Sequence, residues 1–404
     1  MSTDTDDQVL SYPLPAPSAL EPPPEWVQLR ERCPVAHVRL ASGDSAMMLT
    51  RYADIRQVLS DPRFTRDLSA DGAARTTANE GGSAFENAEA AALVSGERHQ
   101  SWRRLVMKWF TAKQILAMQQ RMETMVNSLV DDMVAKGAPA DLLASVGFPF
   151  PVWVICDLLG IPDIDRDKLA YWSNTMLSMT QYTQQEIDAA QLEFRQYMTA
   201  HITSKRDNPG PDLISELLTV VDEGQRLTEQ ELIFTAQGIL VAGHETTSNM
   251  IGKMMAMLLA DRARWEQLLQ DPALVRTAVE EALRYDANSG FGLPRFLTHD
   301  AEIAGHSVPR GTTLVCSLSA ANRDERAFER ADAMDLTRTP NPHLAFGAGP
   351  HSCVGQTLAR TELQTVLTLL LRRLPTLALA VPPDALPRRT GLLVGGLEQV
   401  LVRW

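Results

Sequence analysis

Between residues 98 and 286 the apolar side chains fall three and four apart almost without a break, the spacing of one helix face after another. It predicts helices over 98–109, 113–136, 141–158, 166–178, 185–206 and 211–222. Thr228 and Glu231 then stand as a capping box ahead of a long apolar run. The helix they open continues to Leu259, about 45 Å at 1.5 Å per residue. Further helices are predicted at 25–32, Ala53–Ser60, 275–285 and 354–373. Strand-like patterning is confined to a hairpin over His37–Thr50, to 295–318 around turns at Gly305 and Pro309-Arg-Gly311, and to a C-terminal hairpin near Gly391 and Gly395–Gly396.

The segments between these elements differ in kind. Residues 1–24, with Pro13, Pro15, Pro17 and Pro22 to Pro24, read as an extended arm. Residues 66–97 are rich in Gly, Ala, Ser and Asn, and a weakly periodic stretch of that length is usually functional or mobile. A proline-rich meander covers 336–350. No repeat and no linker follows residue 25, so 25–404 is expected to be a single domain, mainly α with a minor β part.

Composition narrows the classes. A chain that is 45% hydrophobic and 22% charged buries a core. With 38 basic and 50 acidic residues the net charge is −12, which argues against nucleic acid as a partner. Cys33, Cys156, Cys316 and Cys353 are widely spaced, with no CxxC pair, as suits a reducing compartment and no structural zinc. The acidic first seven residues lack signal-peptide character, and no run of 18 apolar residues spans a membrane. A cytoplasmic, monomeric protein is expected.

The chemistry concentrates in Phe346-Gly-Ala-Gly-Pro-His-Ser-Cys-Val-Gly355. Two glycines allow a tight turn beneath a flat ligand, and Cys353 sits just before a helix start, where free N–H groups favour a thiolate. A lone cysteine is more often a buried small apolar residue, but the string around it matches Phe-Gly-x-Gly-x-His-x-Cys-x-Gly at every fixed position. It resembles the haem-binding loop of the cytochrome P450 family. Glu281-Ala-Leu-Arg284 and Ala242-Gly-His-Glu-Thr-Thr247 match two further family signatures in the right order. The resemblance covers about residues 25 to 404 and implies the cytochrome P450 fold, with haem b (iron protoporphyrin IX) between the long central helix and the cysteine-loop helix.

What the resemblance implies can be laid on individual residues. Cys353 is the expected iron ligand, preferred over His351, which the family places on a propionate. Phe346 packs near the sulfur, and Gly355 closes the loop. His99 and Arg103, four apart on one helix face, and Arg295 are the expected propionate partners. On the distal side, Ala242 and Gly243 let the central helix approach the haem closely. The Thr246 hydroxyl is placed to bond the Ala242 carbonyl and open the helix locally, and Glu245 is the expected proton source. His244 is given no role. Glu281 and Arg284 form a buried pair holding the cysteine loop. The family's usual third arginine is missing from the stretch at Asp332–Asp335, and Arg338 is the candidate substitute.

The implied reaction inserts one atom of O2 into an organic substrate. No GxGxxG half is present, so electrons come from a separate ferredoxin and its reductase, docked on Arg103, Arg104, Lys108, Lys113, Arg360, Arg372 and Arg373. Pocket walls are expected from Met176, Leu177, Met179, Ile239, Phe291, Leu293, Leu392 and Leu393, all apolar, which favours a bulky apolar substrate; the same residues also suit core filling. Asn322-Arg-Asp324, Asn341-Pro-His-Leu-Ala345 and Pro149-Phe-Pro151 look similar to actinobacterial enzymes that tailor polyketides and macrolides. Terpenoid, steroid or xenobiotic oxidation, a peroxide-driven reaction, oxygen-independent haem chemistry and a non-catalytic haem sensor or carrier are the alternatives.

Overall fold

The computed structural model describes residues 9–78, 93, 96–162, 166–221, 226–287 and 290–404. Of the weakly periodic stretch at 66–97, positions 79–92, 94 and 95 lie outside the described residues. In chain order the elements are β1 (Leu10–Ser11), α1 (Glu25–Arg32), β2 (Val35–Arg39), β3 (Ser45–Leu49), α2 (Tyr52–Ser60), β4 (Phe64–Thr65), α3 (Gly96–Met107), α4 (Ala112–Lys136), β5 (Ala140–Asp141), α5 (Pro149–Leu159) and α6 (Arg166–Met176). They continue with α7 (Gln184–Asp207), α8 (Leu213–Thr219), α9 (Glu229–Leu259), α10 (Arg262–Gln270), α11 (Val275–Tyr285), β6 (Leu293–Leu297), β7 (Ala301–Ile303), β8 (His306–Val308), β9 (Thr313–Cys316), α12 (Leu318–Ala321), α13 (Gln356–Arg373), β10 (Ala378–Leu379), β11 (Arg388–Arg389), β12 (Gly396–Leu397) and β13 (Leu401–Arg403). The molecule is mainly α with a minor β part, as its periodicity predicts.

The capping box forms as written in the sequence. Thr228 Oγ1 accepts from the Glu231 amide at 3.2 Å, and Glu231 Oε2 accepts from the Thr228 amide at 2.7 Å. The helix it opens, α9, is the axis of the fold: most of its residues are buried, and α5, α7, α11 and α13 pack around it. Among the described residues no helix is long and apolar enough to cross a membrane.

Two departures have local causes. The helix predicted over 141–158 is instead a π-helical turn at Leu143–Gly147 followed by α5. Pro149 and Pro151 lack the N–H that a helix interior needs, but both fit a first turn. A helix at Arg262–Gln270, absent from the expectation, starts at Asp261, whose side chain accepts the Ala263 amide at 3.1 Å. The 37–50 hairpin, the strands at 293–316 and the C-terminal hairpin are all present. They join in a six-stranded sheet ordered β1-β2-β3-β9-β6-β4, with β10-β13-β5 and the pairs β11-β12 and β7-β8 beside it. Residues 1–8 of the proline-rich start lie outside the described residues; after them β1 pairs in parallel with β2, and Tyr12 is buried with its hydroxyl on the Phe291 carbonyl.

Candidate active site

The cysteine loop is shaped by its backbone. The Cys353 amide donates to the Phe346 carbonyl at 2.8 Å, closing the loop on itself. Gly349 has φ +69°, and a Cβ there would lie 2.4 Å from the Leu59 carbonyl oxygen of α2, so neither conformation nor space admits a side chain. Gly355 caps α13, and a Cβ on it would stand 3.9 Å from both Cys353 Sγ and Phe110 Cε1. The sulfur presents accessible surface yet lies deep in the molecule. Burial pushes the Cys353 thiol up, and this outweighs the Gly355 amide and the charges of Arg103 and Arg360 that pull it down. The helix start and the two arginines thus lower the thiol without offsetting its burial.

Beside the loop, basic side chains converge. His99 and His351 meet with their rings tilted, centroids 4.2 Å apart. Arg103 Nη2 donates to Ser352 Oγ at 3.1 Å, and Arg295, 3% exposed, donates Nη1 to its neighbour's carbonyl at 2.7 Å. Arg66 completes the cluster. Burial, then repulsion from Arg295 and Arg103, pulls it down to about 10. Burial and the same cations pull His99 down to about 4 and His351 to about 3. His351 Nδ1 is buried with no hydrogen-bond partner. A gathering of basic side chains whose charges lower His99 and His351, with an orphaned ring nitrogen at His351, is the complement of a ligand carrying two carboxylates. They fit the two propionates of haem b. His99, Arg103, Arg295 and His351 are brought together as expected; Arg66 was not anticipated, because nothing in its local sequence marks it.

On the other side α9 presents an open face. Gly238 and Ala242 are exposed and Thr246 is half-buried, four apart along a helix otherwise mostly buried. Thr246 Oγ1 donates to the Ala242 carbonyl at 2.6 Å, the predicted bond. The helix nevertheless stays continuous through this step, because the hydroxyl shares the carbonyl rather than breaking the turn. Gly243 corrects an expectation: a Cβ there would lie 2.5 Å from Ile155 Cδ1, so its missing side chain serves the approach of α5, not of the haem.

Glu245 is 2% exposed and turned off the open face. Arg389 Nη1 of β11 reaches Glu245 Oε2 at 3.3 Å, Asn249 Nδ2 reaches the same oxygen at 3.3 Å, and His244 Nε2 lies 3.4 Å from Oε1. Burial raises the Glu245 carboxyl, but the bonds and charges of His244 and Arg389 leave it below the ordinary value. Arg389 and Asn174, joined at 2.6 Å, carry no motif signal, and β11 lies 144 residues from Glu245.

Of the anticipated pocket residues, Leu177, Met179, Ile239, Phe291, Leu392 and Leu393 are buried, while Met176 and Leu293 are half-buried. The Leu393 amide donates to Leu177 O at 2.9 Å and the Met179 amide to Gly391 O at 2.8 Å, so the chain after α6 and the C-terminal hairpin form one wall carrying Leu177, Met179, Leu392 and Leu393. Met176, half-buried, ends α6 beside that wall, and Ile239 is buried on α9. Leu293 lies over the cysteine loop, its Cδ1 3.6 Å from where a Gly347 Cβ would be. Phe291 belongs to the core: 1% exposed, it meets the Tyr12 ring edge-on at 5.3 Å.

The Glu281–Arg284 pair forms as expected. Arg284 donates Nε and Nη2 to the two oxygens of Glu281 at 2.8 Å each, both residues fully buried. Arg284 also holds the carbonyls of Asn322, Ala331 and Ala333. Arg338 Nε reaches Glu281 Oε2 at 3.0 Å, supplying the third partner from a different position in the meander.

Comparison with known proteins gives a consistent answer. A family model described as Cytochrome P450 matches residues 157–394. Over the full length of both chains the protein is 40% identical to nocardicin C N-oxygenase of Nocardia uniformis subsp. tsuyamanensis. It is 37% identical to mycinamicin IV hydroxylase/epoxidase of Micromonospora griseorubida, over 99% of this chain and 100% of that one. Among solved structures, the putative thioether synthase of griseoviridin tailoring superposes with a TM-score of 0.91 at 37% identity, covering 98% of this chain and 100% of the other.

Proposed function

The chain belongs to the cytochrome P450 family, and from that premise we propose that it is a haem-thiolate monooxygenase of natural-product tailoring, acting on a bulky apolar substrate with electrons from a separate ferredoxin and its reductase. The observation that carries this reading is the basic cluster of Arg66, His99, Arg103, Arg295 and His351 gathered beside the Cys353 loop, together with the exposed positions Gly238 and Ala242 on the otherwise mostly buried α9. Haem b, when bound, supplies the activation of dioxygen, one atom of which enters the substrate while the other leaves as water.

The protein's part is to bind, orient and deliver protons. Cys353 would hold the iron, and Arg66, His99, Arg103, Arg295 and His351 would neutralise the propionates. Thr246, anchored by its own bond to Ala242, presents its hydroxyl oxygen toward the distal side. Glu245, ionised at rest behind it, passes on a proton only after accepting one. The wall of Leu177, Met179, Leu392 and Leu393 excludes water and favours apolar contact. The names of the relatives, an N-oxygenase and a hydroxylase/epoxidase of antibiotics, support tailoring of a secondary metabolite.

The test is the reduced carbon monoxide difference spectrum of wild type and Cys353→His, followed by a screen of apolar natural products for a low-to-high spin shift. A strongly red-shifted Soret band that the variant loses is expected. A folded, haem-replete wild type without that band would overturn the thiolate assignment.

A further inference from the structure

His244 lies at the centre of the molecule, fully buried. Its Nδ1 is 2.9 Å from the Leu240 carbonyl one turn back, and its ring meets Phe148 edge-on at 5.6 Å. Its Nε2 has no aligned hydrogen bond and faces Glu245 Oε1 at 3.4 Å. A carbonyl oxygen only accepts, so Nδ1 carries a hydrogen. A neutral imidazole would then aim the bare lone pair of Nε2 at a carboxylate oxygen, two acceptors face to face away from water. That arrangement is repulsive and leaves both atoms unsatisfied. One proton placed between them removes the conflict.

The rest of the surroundings decides on which side the proton rests. Arg389 from β11 and Asn249 from α9 both contact Glu245 Oε2, and Arg389 is itself held by Asn174 of α6. These groups favour a carboxylate at Glu245. No second acid contacts the pair among the described residues.

We propose that His244 and Glu245 share one proton and act together as a buried proton store, with Arg389 biasing the proton toward the imidazole. The proposal rests on the reading of Glu245 as the acid beside Thr246. On demand a single proton moves from Nε2 to Oε1, with no electrons transferred. It leaves a neutral imidazole still bonded to Leu240 and a protonated carboxyl at Glu245. Arg389, at 23% exposed, is the member of this group that reaches solvent.

Nitrogen-15 NMR of the reduced, carbon monoxide-bound holoenzyme labelled at histidine tests the state directly and needs no substrate. The His244 signal, assigned as the one lost in His244→Gln, is expected to be doubly protonated in wild type. It should become neutral in Glu245→Gln. Should His244→Gln fail to fold, the resonance that alone responds to Glu245→Gln gives the same assignment. A neutral His244 in wild type at pH 7, or one still doubly protonated in Glu245→Gln, would overturn the proposal.

A second readout separates this inference from the reading beneath it. With a plant-type ferredoxin and its reductase driving oxygen consumption, the ratio of peroxide to water should rise several-fold in both His244→Gln and Glu245→Gln. If only Glu245→Gln raises it, the shared store is wrong and the acid assignment stands. If neither does, the acid assignment itself fails.

Discussion

Arg360 lies over the face of Phe346, its guanidinium carbon 4.4 Å from the ring centroid. The charge is held there by Glu280 of α11, which accepts from Arg360 Nε at 2.7 Å and from His343 Nε2 at 3.0 Å. Phe346 in turn accepts the Cys353 amide. A cation on α13 and an acid on α11 thus clamp the residue that closes the cysteine loop.

This clamp predicts an acid-sensitive contribution to stability. Burial raises the Glu280 carboxyl, but its bonds to His343 and Arg360 bring it down to about 2. A depressed folded value gives stability that is present above the ordinary 4.5 and is lost as pH falls toward 2. The amount is about 3 kcal/mol. Glu280→Gln should lower the melting temperature at pH 7 and bring it close to wild type near pH 2, as followed by circular dichroism. An equal loss at both pH values would contradict the linkage.

The meander arginines should differ in weight. Arg284→Met strands a fully buried Glu281 and should cost about 3–5 kcal/mol in denaturant unfolding. Arg338→Met removes a partner at the 10% exposed edge of the network and should cost about 2 kcal/mol. Equal costs would mean that Arg338 is as central as Arg284.

Gly349→Ala should disrupt the loop before it affects the rest of the fold. The added Cβ meets backbone at 2.4 Å in a left-handed conformation. Expected is a protein with near-native far-ultraviolet circular dichroism and sharply reduced haem uptake. Full haem content in the variant would show that the loop can shift.

Salt should weaken ferredoxin-supported turnover, by less than the count of basic residues suggests. Arg360 is engaged by Glu280 and Arg373 by Asp131, while Arg103 turns inward to Ser352. Lys108, Lys113 and Arg372 remain exposed. Raising ionic strength from about 50 to 200 mM should raise the KM for ferredoxin a few-fold with kcat little changed, and Lys113→Glu should reproduce the effect at low salt. A KM independent of salt would remove the electrostatic docking reading.

Whatever depends on neighbours a few residues apart was legible without coordinates. The Thr228–Glu231 box, the Thr246–Ala242 bond and the Glu281–Arg284 pair each span three or four positions of one helix, so geometry fixes them once the helix exists. The cysteine loop was equally clear, because its glycines and helix start are written contiguously.

The tertiary structure alone decided what faces what. Gly243 was read as an approach to the haem and turned out to accommodate Ile155, a distinction of which side of α9 α5 covers. Phe291 joined the core because the N-terminal arm brought Tyr12 against it from 279 positions away. Arg66, Arg389 and the weakened thiolate at Cys353 likewise depend on burial and on charges delivered by distant segments. Helical period and local hydrogen bonds are short-ranged and recorded in adjacent letters; desolvation and Coulomb interactions follow distance in space, which only the packed chain defines.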